Sequence, residues 1–306
     1  MTLFPRSASR KPGFFGLPRT TRIVVYLVLF AFLLPFWMRL LEWKMTHHPV
    51  AYDGSTDWVL PKQTEEVWFI TADGVKLHGW LLHARTSASK GTVLYSHGNG
   101  GNITYFQGVA ADLAARGLDV LLYDYRGYGR SEGSVPGEAE LYADEDAAYD
   151  FLTRTRGVLP EQLAIYGLSL GTTVAVDVAT RRRCAALVLE APLSSASDMA
   201  SATLPILPRV LHGILKNRFE SARKIAGVNC PVFVAHGEAD QIIPVEQGKK
   251  VFAAANEPKK LLLIPRGTHW LPSEKGYLDA VAEFIAARLS PPRPSDGGDT
   301  AQFPGR

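Results

Sequence analysis

The sequence predicts an α/β chain: a mostly parallel sheet covered on both faces by helices, with one apolar helix ahead of it. Three observations carry that prediction. Short apolar runs alternate with helix-like stretches through the middle of the chain, a hairpin pattern precedes them, and residues 23–38 form a run of 16 without a charge. Repeated strand–helix units build parallel sheets with both faces buried, and a leading hairpin adds antiparallel strands at one edge.

The apolar run comes first. Extended past Arg39 to Leu41 it has 19 residues, about 28 Å at helical rise, enough to cross a hydrocarbon core. Arg39 can snorkel, Trp37 and Trp43 suit an interface, and Pro35 predicts a kink in the last turns. LLPFWMRLLEW offers no small-residue cleavage site, so residues 23–41 read as an uncleaved transmembrane anchor. The arm before it, 1–22, carries Arg6, Arg10, Lys11, Arg19 and Arg22 and no acid. The expected orientation is single-pass, with a cytoplasmic N-terminus and the remaining chain on the outer side.

Removing those five cations from the net charge of +3 leaves −2 for the rest, so a nucleic-acid partner is not expected. The one later cluster, Arg181–Arg182–Arg183, ends a predicted helix, where cations suit the dipole. A hydrophobic share of 46% with 21% charge excludes a disordered chain. Cys184 and Cys230 form no CxxC, no HExxH occurs, and the adjacent His47 and His48 suit one metal poorly, so neither metal nor cofactor is expected. The two histidines read as interfacial or solvated.

Residues 44–63 read as a linker and 290–306 as a disordered tail. Between them, 67–71 and 77–83 read as a hairpin through Ala72-Asp73-Gly74. Strand runs follow at 92–96, 118–123, 163–166, 187–189, 232–235 and 261–264, with helices near 103–116, 138–154, 170–180, 245–255 and 275–289. One domain, 64–289, accounts for them. Residues 192–229 interrupt the alternation as a short insert. There Leu207, Val210, Leu211, Ile214 and Leu215 follow helical spacing and predict an amphipathic helix, packed on the core or walling an acyl site.

The most specific motif is Gly167-Leu168-Ser169-Leu170-Gly171. Alone, GxSxG is weak. Here it follows the apolar run LAIY and opens the helix-like TTVAVDVAT, the strand–turn–helix that exposes a serine nucleophile. Side chains two before and two after the serine would collide, hence the glycines. Serine needs a base, and the base needs an orienting acid. Asp240 follows the strand run VFVAH and His269 follows LLLI, both at the strand ends where open α/β sheets build sites. Glu190, ending another strand run, and Glu238 are the alternative acids. TVLYS runs into His97-Gly98-Asn99-Gly100-Gly101-Asn102, whose Asn99 N–H can pair with that of Leu170 as an oxyanion hole. His97 and His236 read as structural, and Asp124 and Arg126 as braces for loops.

HGNGGN, YDYRGYGRSEG, GLSLG, HGEAD and GTH at these separations resemble the α/β-hydrolase superfamily, specifically its small-lid, often membrane-anchored α/β-hydrolase-domain branch, which includes acyl-protein thioesterases and lipid esterases. The resemblance spans residues 64–289 and implies the α/β-hydrolase fold with a short lid near 192–229. It implies Ser169 as nucleophile, Asp240 as acid, His269 as base, and Asn99 with Leu170 as oxyanion donors. Two departures stand out: Thr268 replaces the usual glycine before the histidine, and the cysteine-rich N-terminus of the depalmitoylating relatives is absent. The expected activity is hydrolysis of a carboxylic ester with an apolar, small-molecule or lipid-like acyl part. Thioester cleavage, aminopeptidase-type peptide hydrolysis and a non-catalytic receptor or scaffold are the alternatives.

In this fold the strands after Cys184 and Cys230 are parallel neighbours, so both cysteines are expected at the non-catalytic end of the sheet. Counting six residues on from each reaches Glu190 and His236, which suggests a shared register. Two thiols acting as small hydrophobes is the simpler reading, and a disulfide is the alternative in an oxidising compartment.

Overall fold

The computed structural model describes residues 17–54, 58–206 and 208–289. Of the basic arm, Arg6, Arg10 and Lys11 lie outside the described residues, as does the segment 290–306. The chain divides into two units, one ending at Met45 and one beginning at Thr46.

The first unit holds all but the last residue of helix α1, Arg19–Thr46; the helix is 28 residues long and wider at both ends than the predicted span of 23–41. It continues through Pro35 without a break in helical assignment. It is long and apolar enough to cross a membrane, which makes it a candidate anchor or signal.

In the second unit, a two-residue strand β1, His48–Pro49, is followed by the hairpin strands β2, Thr64–Ile70, and β3, Lys76–Leu82. The hairpin turn is closed by Gly74, whose φ of +86° costs a glycine little. Then come β4 Thr92–Ser96, β5 Gly100–Gly101, α2 Ile103–Ala115, β6 Asp119–Tyr123, α3 Glu138–Asp150, β7 Leu163–Leu168, α4 Leu170–Arg181 and β8 Ala186–Glu190. The described residues end with α5 Ala196–Thr203, α6 Ser221–Lys224, β9 Val232–Gly237, α7 Val245–Ala254, β10 Lys259–Ile264 and α8 Tyr277–Ala286.

Eight strands form one sheet in the order β10-β9-β8-β7-β4-β6-β3-β2, parallel from β10 to β6 and antiparallel across β6–β3 and β3–β2. Strand residues alternate between two cores, as a period of two requires. Leu94, Leu121, Ile165 and Leu187 face one core with the apolar sides of α3, α4 and α7. Val93, Leu122, Tyr166 and Val188 face the other, with α2 and α8. This is the α/β-hydrolase fold.

Four expectations change. The insert holds α5 and a 3₁₀ helix, Arg209–Ile214, in place of the amphipathic α-helix, and Leu207 lies outside the described residues. Pro208 is the N-cap of this turn, where its missing backbone donor costs nothing, and Gly213 inside the turn weakens a longer helix. The tighter turn starts from Pro208, whose carbonyl accepts from Leu211 N at 2.9 Å. The apolar spacing is accordingly not buried as a stripe: Val210 is 83% exposed, while His212 is buried on Ser197 Oγ.

The linker 44–63 is partly built into the domain, because residues 48–52 hydrogen-bond to the loops after β4 and β6. His47, expected to be interfacial or solvated, is buried within the domain, and burial with the neighbouring His48 lowers its pKa to about 4. The register across β8 and β9 is one residue off the expected count, with Glu190 opposite Ala235 rather than His236. Cys184 and Cys230 precede these strands and so escape the ladder, and their Sγ atoms lie 3.0 Å apart as free thiols.

Candidate active site

Ser169 sits between β7 and α4 with φ 54° and ψ −118°, a conformation that non-glycine residues rarely adopt and that costs on the order of 1–3 kcal/mol. The turn is too tight for side chains on either side of it. A Cβ on Gly167 would lie 2.6 Å from Gly171 O, and one on Gly171 would lie 2.0 Å from Ser96 O. Ser169 N–H donates to Glu190 O at 2.9 Å, tying the turn to β8. Leu170 opens α4, so its N–H belongs to the unpaired first turn, where the dipole favours negative charge.

Opposite this turn lies the loop after β4. A Cβ on Gly98 would be 3.7 Å from Ser169 Cβ, so the loop backbone runs beside the serine. The next residue, Asn99, offers its N–H, and neither this N–H nor that of Leu170 has an acceptor among the described residues. His97 is buried against Phe106, Tyr125 and Tyr128, with Nδ1 on Gly98 O at 2.7 Å. Asp124 accepts from Ile103 N at 2.9 Å, fixing the start of α2 just beyond the loop. Arg126 bridges Asp144 and Asp73. Both residues brace loops, as their position suggests.

Asp240 and His269 come from the loops after β9 and β10. Asp240 Oδ1 accepts from Ile242 N at 2.8 Å and Ile243 N at 2.9 Å, which aims Oδ2 at His269 Nδ1, 2.8 Å away. A carboxylate only accepts, so Nδ1 carries the proton and Nε2 is left with its lone pair. His236 Nε2 lies 3.2 Å from the same Oδ2 and 2.8 Å from Ile243 O. Both neighbours are acceptors, so this nitrogen is also protonated. Burial opposes the charge on Asp240, but the hydrogen bonds from His236 and His269 outweigh it and hold the carboxyl well below the usual range. No hydrogen bond joins Ser169 Oγ to His269 among the described residues. Such bonds are often loose before substrate binds.

Glu190 and Glu238 do not reach His269 by a hydrogen bond. Glu238 is exposed. Glu190 is buried, with Oε1 accepting from Leu271 N at 3.1 Å and Oε2 bonded to the hydroxyls of Tyr166 and Tyr277. Burial pushes its pKa up to about 7 against those bonds. Leu271 lies two residues beyond His269, so Glu190 anchors the histidine loop from behind. A carboxylate inside the apolar run ALVLEA signals such an environment, but its tyrosine partners are 24 and 87 residues away in sequence. Glu145, equally hidden, accepts from Ser96 Oγ at 2.6 Å and supports the end of β4. Among the described residues no group of three or more His, Cys, Asp or Glu side chains is placed to hold a metal.

A sequence model of the family described as "Serine aminopeptidase, S33" matches residues 87–224. An uncharacterized protein of Mycobacterium tuberculosis is 38% identical over 218 residues, which cover 70% of this chain and 76% of that protein. Alpha/beta hydrolase domain-containing protein 17B of Xenopus laevis is another relative, 33% identical over 204 residues, 66% of this chain and 68% of that one. The chain belongs to the α/β-hydrolase superfamily. Among solved structures, an esterase of Pyrococcus furiosus aligns with a TM-score of 0.64 at 22% identity, over 80% of this chain and 100% of that one. An acetyl xylan esterase from Paenibacillus aligns with a TM-score of 0.62 at 19% identity, over 76% and 86%. These two likenesses are likenesses of fold.

Proposed function

We propose that this hydrolase is a membrane-anchored serine esterase that cleaves carboxylic esters with an apolar acyl part through an acyl-enzyme. The observation that carries the reading is the bond from His269 Nδ1 to Asp240 Oδ2, 2.8 Å, in a fold whose elbow holds Ser169 at positive φ. Ser169 Oγ attacks the ester carbonyl while His269 Nε2 takes its proton, and Asp240 stabilises the imidazolium that forms. The developing oxyanion is met by the N–H groups of Asn99 and Leu170, both without a protein acceptor among the described residues, at roughly 3–4 kcal/mol per donor. His269 then protonates the leaving alcohol, and water attacks the acyl-enzyme by the same route in reverse.

Helix α1 would hold the enzyme in the membrane, with its basic arm cytoplasmic and the hydrolase domain on the outer side. A lipid-like acyl ester fits that placement. Aminopeptidase-type hydrolysis is the second reading, favoured by the description of the matching family. Full-length enzyme in detergent, assayed on p-nitrophenyl esters of graded chain length, matched thioesters and aminoacyl anilides, tests the choice. Ester turnover should dominate and vanish in Ser169→Ala. Preferential anilide cleavage would transfer the assignment to the peptidase reading.

A further inference from the structure

The geometry points to the strap just after α1, residues 48–52, as a positioning element that holds the oxyanion loop in its working shape. This inference rests on Asn99 acting as an oxyanion donor. β1 pairs in parallel with β5, so the strap adds a strand to the loop itself, with His48 opposite Gly100 and Pro49 opposite Gly101. His48 N–H donates to Asn99 O at 2.9 Å, Val50 N–H donates to Gly101 O at 2.9 Å, and Asn102 Nδ2 returns a bond to Val50 O at 3.0 Å. Further along, Gly129 N–H donates to Val50 O at 3.1 Å and Tyr52 N–H to Gly129 O at 2.9 Å, tying the loops after β4 and β6 together through the strap. Tyr128 Oη adds a second donor to Asn99 O at 3.0 Å.

The loop needs such clamps. Gly98, Gly100 and Gly101 give it little stiffness of its own, and Gly101 sits at φ +77°. An oxyanion donor works only if it is already aimed before charge develops, because reorganisation during the reaction consumes the benefit. The two bonds to Asn99 O leave the N–H of the same residue as the group still unpaired. The strap's far end is fixed by aromatic packing, Tyr52 on Trp58 at 5.0 Å and Trp58 on Trp80 of β3 at 6.1 Å between ring centroids. Its near end follows α1 directly in sequence, so the segment that leaves the candidate anchor is also the segment that shapes the loop.

The test separates a backbone bond from a side chain. His48→Pro removes the donor to Asn99 O, His48→Ala keeps it, and Tyr128→Phe removes the second clamp without touching the backbone. Full-length proteins in detergent are titrated with a fluorophosphonate, and kcat is expressed per labelled site beside KM and Tm. His48→Pro should lower kcat per site by about 10-fold with KM within about twofold, since small misplacements of reacting groups cost that much or more. His48→Ala should recover most of the loss, Tyr128→Phe should lower kcat several-fold, and His48→Pro with Tyr128→Phe should lose more than either. A merely structural strap would change Tm or the labelled fraction and leave kcat per labelled site alone. Wild-type turnover per site in both His48→Pro and Tyr128→Phe, or equal losses in His48→Ala and His48→Pro, would overturn the inference while leaving the esterase reading intact. A wild-type enzyme that the probe does not label would overturn that reading, and this inference with it.

Discussion

Glu190 offers a quantitative test of how the site is supported. Glu190→Gln keeps an amide oxygen for Leu271 N and resembles the protonated acid in shape. Burial raises the folded-state pKa of Glu190 to about 7 from the ordinary 4.5. The stabilisation belongs to the protonated form, so it is complete below about pH 4.5 and is lost as pH rises through 7. Between pH 5 and pH 8 the wild type should lose roughly 2–3 kcal/mol through this group, and the glutamine variant none of it. Glu145 is raised in the same direction, but it is present in both proteins and cancels in the comparison. In chemical denaturation at the two pH values, Glu190→Gln should gain about 2–3 kcal/mol on the wild type at pH 8 relative to pH 5, or roughly 5–10 °C in Tm. A difference between the proteins that does not change with pH would mean that Glu190 is charged throughout, and the tyrosine cage would have to be reinterpreted.

Other outcomes follow from the same geometry. Asp240→Asn should lower kcat by up to about 10⁴-fold by presenting the wrong imidazole tautomer, while Glu190→Gln stays within about tenfold at pH 6; the reverse order, read by steady-state kinetics, would move the acid to Glu190. Cys184 and Cys230, with Sγ atoms 3.0 Å apart and both lining a cleft of about 320 Å³, should bridge on oxidation. Thiol counting on denatured, unreduced protein from an oxidising compartment should find no free thiols, and two would contradict the bridge. Closing 46 residues should add roughly 4 kcal/mol of stability in the entropic model, less any strain. Protease added outside spheroplasts should digest the hydrolase domain and spare the basic arm, whereas full protection would place the domain in the cytoplasm.

Much of the site is legible in sequence because its demands are local. Gly167 answers a clash within five residues, since a side chain there would meet Gly171 and Thr172, whereas Gly171 makes room for the backbone at the end of β4. Asp240 and His269 each follow an apolar strand run, and the parallel sheet delivers both loops to one edge, 2.8 Å apart at the ring nitrogen. What sequence does not show is long-range. The partners of Glu190 require the packing of α8 against β7, and the one-residue shift between β8 and β9 is set by packing that no count of residues reveals. The strap reads as a linker in sequence because its own bonding groups are backbone groups, which leave no side-chain signature. In the insert, apolar spacing suggests an α-helix, yet the segment, which contains Gly213, forms only a 3₁₀ turn after Pro208.

Every step of the proposed esterase reaction runs through Ser169 as the covalent nucleophile. Full-length enzyme treated with a fluorophosphonate and mapped by peptide mass spectrometry measures this most directly. One adduct is expected, on the peptide containing Ser169, formed at a rate that falls with Asp240→Asn and absent in Ser169→Ala. An adduct on another residue, or labelling that survives Ser169→Ala, would contradict it.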